Sequence, residues 1–324
     1  MSRERRLNLL KMIPGLLISA FFLWWTFLHR HADGTRGFEP SAFAKMRFVA
    51  PEWIAGVVLF SVAGYTIRCV RWWWMLRSVK ARFSDCARIF MTSLAANNIL
   101  PLRIGDVMRI FTYAPDLNAT PSTVLSTVIL EKLLDVFTLA VMFTATMHYG
   151  AAVSHKLRAG AEVGLLISTI GLLVLIFGAH TLQAPLRRIF ATTTNKLLKK
   201  VEHWVLLAME CIEQIGIGGT LLLIALSAVA WTFEGLIYVS AAKLIALKTD
   251  LVGPWQAVSQ ANLSFLIPSS PGGIGLFEAA CQDALVRHGA SSGVAGLFGL
   301  LVRLFGFFGL LPGPLGPLDP PDPF

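Results

Sequence analysis

Six stretches of this chain are each apolar for roughly the 20 residues that a helix needs to cross hydrocarbon, at about 12–28, 52–75, 124–147, 163–181, 220–242 and 293–311. Spans of that kind admit few folds, because a backbone in lipid must satisfy its hydrogen bonds within helices or a closed barrel. Composition agrees. Hydrophobic residues make up 55% of the 324, charged residues 15%, and mean hydropathy is +0.65. A soluble domain is about 25% charged and has no core able to hide so much apolar surface. The same figures exclude disorder. The expectation is an all-α polytopic membrane protein. Residues 1–311 form one integral membrane domain, and the Pro-rich tail 312–324 cannot be helical.

Two further apolar stretches do not read as simple spans. Residues 87–112 contain Asn97-Asn98, Pro101, Arg103, Gly105, Asp106 and Arg109; residues 255–284 contain Asn262, Pro268, Pro271, Gly272-Gly273, Gly275 and Glu278. Proline removes a backbone donor and glycine weakens a helix, so each stretch breaks near its middle. Broken backbone at membrane depth survives only where protein or a wet cavity surrounds it. Both stretches therefore read as re-entrant helical hairpins, with an ordinary kinked span as the alternative.

Lysine and arginine set the expected orientation. With the N-terminus inside, the inner segments carry fifteen of these residues and the outer segments nine. Arg3, Arg5 and Arg6 precede the first span, and no small-residue cleavage site follows Leu28, so an uncleaved anchor is expected. In this orientation the hairpins enter from opposite faces. The order span, span, hairpin, span then recurs in the opposite sense, an inverted repeat with halves at about 12–148 and 162–311. Residues 185–215 alternate basic clusters with Leu197, Val201, Trp204 and Ala208, and read as an amphipathic connector on the inner leaflet. Trp72-Trp73-Trp74 beside Arg68, Arg71 and Arg77 reads as an interfacial belt with snorkelling bases.

Several function classes find no support. The sequence has no GxxxxGK[ST] phosphate loop, no HExxH and no GxSxG, and no strand precedes Gly272-Gly273-Ile274-Gly275 as a dinucleotide fingerprint requires. Cys69, Cys86, Cys211 and Cys281 are scattered, which favours buried small hydrophobes over a disulfide framework or a zinc site. No cofactor or metal is expected. The net charge of +9 follows the topology rule, so nucleic acid is an unnecessary partner.

What remains is charge at membrane depth, which costs at least about 2.5–3.5 kcal/mol per residue and so needs a partner or a purpose. Glu131 and Asp135 share a helix face in the third span, where Lys132 can pair with Asp135 three residues on. Glu234 lies in the fifth span, Arg303 in the sixth, and Glu278 after the glycines of the second hairpin. In the first hairpin a half-helix starting near Gly105 offers free N–H groups to an anion, and Arg103 and Arg109 add donors suited to phosphate. In the second, Ser269, Ser270, Gly272, Gly273 and Gly275 offer hydroxyls and bare backbone. Glu131, Asp135 and Glu278 suit a cationic group or a proton, with Arg303 pairing one of these acids when the site is empty.

The three motifs Asn98-x-x-Pro101-x-Arg103-x-Gly105-Asp106-x-x-Arg109, Glu131-Lys-Leu-Leu-Asp135 and Pro268-x-Ser-Pro-Gly-Gly-x-Gly275-x-x-Glu278 occur in this order. In them the chain, over roughly 10–311, resembles the flippase-like transmembrane region of lysylphosphatidylglycerol synthetases and its stand-alone relatives. Asp106 stands where that family usually has Glu, and no aminoacyl-transferase domain follows. The resemblance implies a multi-span protein of the bacterial inner membrane that moves or handles lipids: aminoacylated phospholipids, hopanoids or lipid-linked sugars. The expected head-group residues are Asn98, Arg103, Asp106, Arg109, Ser269, Ser270, Gly272, Gly273 and Gly275. The expected charge or proton relay is Glu131, Asp135, Glu278 and Arg303. Membrane lipids are the expected partners. The alternatives are a lipid-modifying transferase and an accessory subunit that recruits a lipid-synthesis enzyme through residues 185–215.

Overall fold

A computed structural model describes Phe21, Trp24, residues 48–99, 104–147, 155–178, Arg188 and residues 195–266 and 273–308. Among them are nine α-helices and no strand: α1 (Trp53–Met75), α2 (Phe83–Ile99), α3 (Ile104–Phe111), α4 (Pro121–Met147), α5 (His155–Gly178), α6 (Lys196–Leu244), α7 (Gly253–Leu263), α8 (Leu276–Arg287) and α9 (Ser292–Phe308). Five of the six apolar stretches are thus helical over their described residues; the first, 12–28, apart from Phe21 and Trp24, and the tail 312–324 lie outside the described residues. By length and composition Trp53–Met75 and Glu202–Leu244 suffice to cross a membrane, and Ser292–Gly306 is a shorter apolar helix. The 27-residue α4 is long enough, but Glu131, Lys132 and Asp135 interrupt its apolar run.

Helix ends follow local chemistry. The Thr120 hydroxyl accepts the Thr123 N–H at 3.2 Å, and Pro121, which has no N–H to leave unpaired, opens α4. Asp250 accepts the Val252 and Gly253 N–H groups at 2.9 and 2.8 Å and so starts α7. Its other oxygen meets Nδ1 of the buried His288 at 2.7 Å, and Nε2 of that ring meets Gln256. The end of α8 is thereby tied to the start of α7.

Both interrupted stretches are helical hairpins. In the first, α2 and α3 lie so close that a Cβ at Gly105 would stand 2.0 Å from the Ser93 carbonyl oxygen. Asn97 seals the contact, accepting the Asp106 N–H at 3.2 Å and donating to the Asp106 carboxylate at 3.1 Å. In the second, α7 packs on α8, and Gly273 and Gly275 take left-handed φ angles of +64° and +89° before α8 begins. The residues between the arms, 100–103 and 267–272, are outside the described set.

Two apolar cores result. One gathers Trp72, Phe90, Leu130, Leu134 and Met209 around the first hairpin. The other gathers Tyr238, Ala257, Phe277, Cys281 and Phe298 around the second. Helix α6 serves both, packing on α1, α4 and α7, and a Cβ at Gly235 would meet the Trp255 ring at 2.1 Å. Outer faces stay apolar, with Val58, Leu59, Val62, Leu166 and Ile167 exposed.

One expectation is corrected here. Trp72 and Arg71 are not part of a surface belt: Trp72 is fully buried and Arg71 is 1% exposed, because Asp135 and Thr127 on α4 supply partners that draw them inward, whereas Arg77 is exposed and lies 4.5 Å over the half-buried Trp74 ring. The part of the expected connector in view, 196–215, is helical, and the backbone breaks at Gly216 (φ 76°, ψ 168°) before the helix resumes. Leu207, Cys211, Ile212 and Ile215 are buried and Trp204 is exposed.

Gly105→Ala should destabilise the protein by about 1–3 kcal/mol, since a methyl cannot enter that contact without parting α2 from α3. The check is a lowered thermal midpoint of purified protein; an unchanged midpoint contradicts the close approach. The Asp250 carboxyl is pushed up by partial burial, but the hydrogen bonds from His288, Gly253 and Val252 outweigh this and hold it below its ordinary value. A depressed carboxyl stabilises above its unfolded pKa, about 3.9, and that contribution fades as pH falls through the folded value. Asp250→Asn should therefore lower the midpoint at neutral pH, with the gap to wild type closing as pH falls below the unfolded value and through the folded one.

Candidate functional site

The interior is lined with ion pairs that run from one hairpin to the other. At the first hairpin, Arg109 on α3 is 1% exposed. It reaches Glu131 on α4 at 3.1 Å and Asp106 at 3.4 Å, and its guanidinium lies 4.7 Å over the Trp72 ring and 5.2 Å over Phe90. Lys132 holds Glu131 at 3.1 Å and Asp106 at 3.7 Å. The sequence suggests a Lys132–Asp135 pair. The structure instead turns Lys132 to Glu131 and Asp106, and Asp135 goes to Arg71.

The middle of the line joins three long helices. Arg71 on α1 donates to Asp135 on α4 at 2.6 Å and to the Ser227 hydroxyl on α6 at 2.7 Å. Trp231 Nε1 donates to the same Asp135 oxygen at 3.1 Å. One turn away, Arg68 pairs with Glu234 on α6 at 3.0 Å and stacks on Trp231 at 4.7 Å. Tyr65 donates to the Gly306 carbonyl of α9 at 3.2 Å.

At the second hairpin, Glu278 is fully buried. One carboxylate oxygen accepts the Gly275 N–H at 2.7 Å and the other accepts Arg303 Nε. Arg303 also donates to the Gly273 carbonyl at 3.3 Å and lies 4.7 Å over the Phe277 ring. The two hairpins are thus held alike with signs reversed. In each, an ion pair ties the return helix to the next helix in sequence, Arg109–Glu131 (with Asp106–Lys132 beside it) in the first and Glu278–Arg303 in the second.

Five cations (Arg68, Arg71, Arg109, Lys132, Arg303) face five carboxylates (Asp106, Glu131, Asp135, Glu234, Glu278), each within ion-pair distance of at least one partner. Nε of Arg71 and Nε of Arg109 are buried and have no hydrogen-bond partner among the described residues, so two donors still lack an acceptor. Among the described residues no group of His, Cys, Asp and Glu is arranged to hold a metal ion.

Of the head-group residues expected from sequence, Asp106, Arg109, Gly273 and Gly275 belong to this line, and Asn98 is half-buried near the end of α2. Arg103, Ser269, Ser270 and Gly272 lie outside the described residues. The relay residues Glu131, Asp135, Glu278 and Arg303 all belong to it, each with an opposite charge. Sequence reasoning missed the partners Arg68 and Arg71, and the seal made by Asn97. The signal was present: two arginines three residues apart in an apolar span share a face and cost as much as acids do.

An all-helical protein with paired charges buried among apolar helices is built as membrane-embedded proteins are. The chain belongs to the family described as the lysylphosphatidylglycerol synthase TM region, which matches residues 12–313, and is a membrane protein. A search of curated proteins and one of solved structures each returned no match.

Arg109→Met strands Glu131 with Lys132 alone and should cost about 3–5 kcal/mol, the penalty for a broken buried pair. Arg109→Met combined with Glu131→Met leaves Lys132 and Asp106 balanced and should be more stable than the single variant. Denaturation midpoints of the three proteins check this. A double variant as unstable as the sum of the two singles contradicts the pairing.

Proposed function

We propose that this protein carries a lipid head group between the leaflets of a bacterial inner membrane. In this reading about six spans and two re-entrant hairpins form one membrane domain as an inverted repeat. Its N-terminus is cytoplasmic, and the first hairpin enters from the cytoplasmic side and the second from the other. A head group cannot cross hydrocarbon unaided, because its charges would lose water without gaining partners. The carrying observation is the series of four ion-paired groups, Asp106–Arg109–Glu131–Lys132, Arg71–Asp135, Arg68–Glu234 and Glu278–Arg303, which offers such partners at both hairpins and on the helices between them. Acyl tails stay in lipid against the apolar outer faces. The buried Nε–H groups of Arg71 and Arg109 suit a phosphate oxygen, and Arg103, Ser269, Ser270 and Gly272 are proposed to line the path at the hairpin tips. Membership of a family named for the membrane region of a lipid-modifying synthase supports a lipid as the ligand.

Movement along such a path proceeds by exchange. An incoming phosphate replaces a carboxylate on an arginine, and the released carboxylate takes the cationic part of the head group or a proton. No phosphate loop is present in the sequence, so downhill movement or proton coupling is the proposed energy source.

Purified protein in liposomes should accelerate the loss of outer-leaflet fluorescence from labelled lipids to a membrane-impermeant quencher. Glu278→Gln, which keeps the shape and the Gly275 contact but unbalances Arg303, should slow this at least about tenfold, equivalent to about 1.4 kcal/mol. Its elution on size exclusion should be unchanged. Lipid recovered with unaltered mass fits transport; a modified product favours the transferase reading. No acceleration with any lipid class overturns the proposal.

A further inference from the structure

We infer that the open end of the second hairpin carries a proton-operated clasp. An imidazolium at His288, gripped between the Asp250 carboxylate and the Gln256 amide oxygen, ties the end of α8 to the start of α7, and loss of its proton releases the Gln256 side. The clasp lies outside the ion-paired groups described above, and the inference stands whether or not a head group is carried.

The geometry of the ring carries the argument. The His288 side chain is completely enclosed, at 0% exposure. Its Nδ1 lies 2.7 Å from an Asp250 carboxylate oxygen, and its Nε2 meets Oε1 of Gln256. Both facing atoms are acceptors, so each contact is a hydrogen bond only when the ring nitrogen carries a proton, and imidazolium alone satisfies both. A neutral ring that keeps Asp250 sets its bare Nε2 against an oxygen. Gln256 must then turn its amide over or let go. Nothing else holds that amide as it stands: Gln256 is wholly buried, and its Nε2 has no hydrogen-bond partner among the described residues. The proton on His288 therefore decides which way round the amide sits.

Asp250 also gives the enclosed ring a route to water, since its side chain is 49% exposed. The fit at the junction is close. The Asp250 N–H donates to the His288 carbonyl at 3.3 Å, and a Cβ at Gly253 would stand 2.9 Å from His288 Cβ. Other charges on the elements packed around the ring are engaged elsewhere or exposed. Helix α7 has none. On α8, Asp283 pairs with Arg287, and Glu278 pairs with Arg303, the one charged residue of α9. The Glu131, Lys132 and Asp135 of α4 belong to the pairs already described, as does Glu234 of α6. Lys243 is exposed over the Trp53 ring, and Lys248 is exposed. Of the other titratable groups, Tyr238 packs on Phe298, and Cys281 precedes His288 by about two turns of α8. Asp250 is thus the counter-charge of the ring. Its own hydrogen bonds hold its carboxyl below the ordinary value, so it is ionised wherever a histidine titrates. The folded state favours the protonated ring, so the clasp is closed on the acid side of the histidine range, about pH 5–8, and opens as pH rises through it.

The test uses the purified full chain. Amide hydrogen exchange of segments 249–258 and 284–290 is followed across about pH 5–8, with α4 in the same sample as the reference that removes the intrinsic pH dependence. Relative to α4, exchange of both segments should rise at least about tenfold as the ring loses its proton, the equivalent of one pKa unit. His288→Gln should abolish that rise. Gln256→Glu, which faces the ring with a second carboxylate, should move the transition to higher pH, and Asp250→Asn, which removes the counter-charge, to lower pH. With 15N-labelled histidine, the ring signal missing from His288→Gln should show both nitrogens protonated at the acid end and one at the alkaline end. A ring already neutral at about pH 5, exchange that ignores pH in the wild type, or a transition that Gln256→Glu leaves in place overturns the clasp. If His288→Gln does not fold, Gln256→Glu and Asp250→Asn decide by the opposite directions of their shifts, and equal or absent shifts overturn it.

Discussion

Every charge that this chain carries into its apolar interior, among the described residues of the line, meets an opposite charge from another part of the fold. That constraint organises the rest. Arg71 cannot stay on the outside of α1 once Asp135 and Ser227 offer it partners, and its inward turn brings α1, α4 and α6 together at one point. Trp72 follows it inside, hydrogen-bonded to Thr127 and covered by Arg109. An aromatic–arginine run that would sit at an interface in isolation becomes a core here, because charges on α4 stand at matching depth.

The same constraint explains how two short hairpins with broken tips hold their places. The arms α3, α7 and α8 span 8, 11 and 12 residues, and helices so short are marginal on their own. Close packing fixes part of them, as at Gly105. Directed polar contacts add to this, chief among them Arg109 to Glu131 and Glu278 to Arg303, with aromatic rings beneath each guanidinium. The sign reversal between hairpins means that neither end of the line is a sink for one kind of charge.

Much of this was legible in the sequence. The apolar runs mark five of the helices in view, and Pro101 with Gly105, and Pro268 with Gly272-Gly273, mark the hairpins, because proline and glycine act locally and need no partner to break a helix. The pairing of Arg303 with an acid was legible for the same kind of reason, since a lone buried charge demands one. The choice among acids was not. Lys132 with Asp135 is a sound local pair at three residues, yet tertiary packing puts Asp106 and Glu131 in reach of Lys132 and Arg71 in reach of Asp135. Side-chain spacing along one helix says nothing about what a neighbouring helix brings.

Stability alone does not account for such a line. A buried ion pair is roughly neutral, and often unfavourable, against a well-packed hydrophobic pair of the same shape. Leucines at 109 and 131, or at 278 and 303, would hold the hairpins at least as firmly. What apolar contacts cannot do is exchange. A leucine pair released by a polar ligand gains nothing from it, whereas Arg109 or Glu278 released from its partner finds an equivalent one in a phosphate or an ammonium. The polar hold therefore makes each hairpin's attachment responsive to a charged group arriving beside it, and an apolar hold would not. Five cations and five carboxylates among the described residues, where hydrocarbon would pack as well, are what the proposed path for a charged head group calls for.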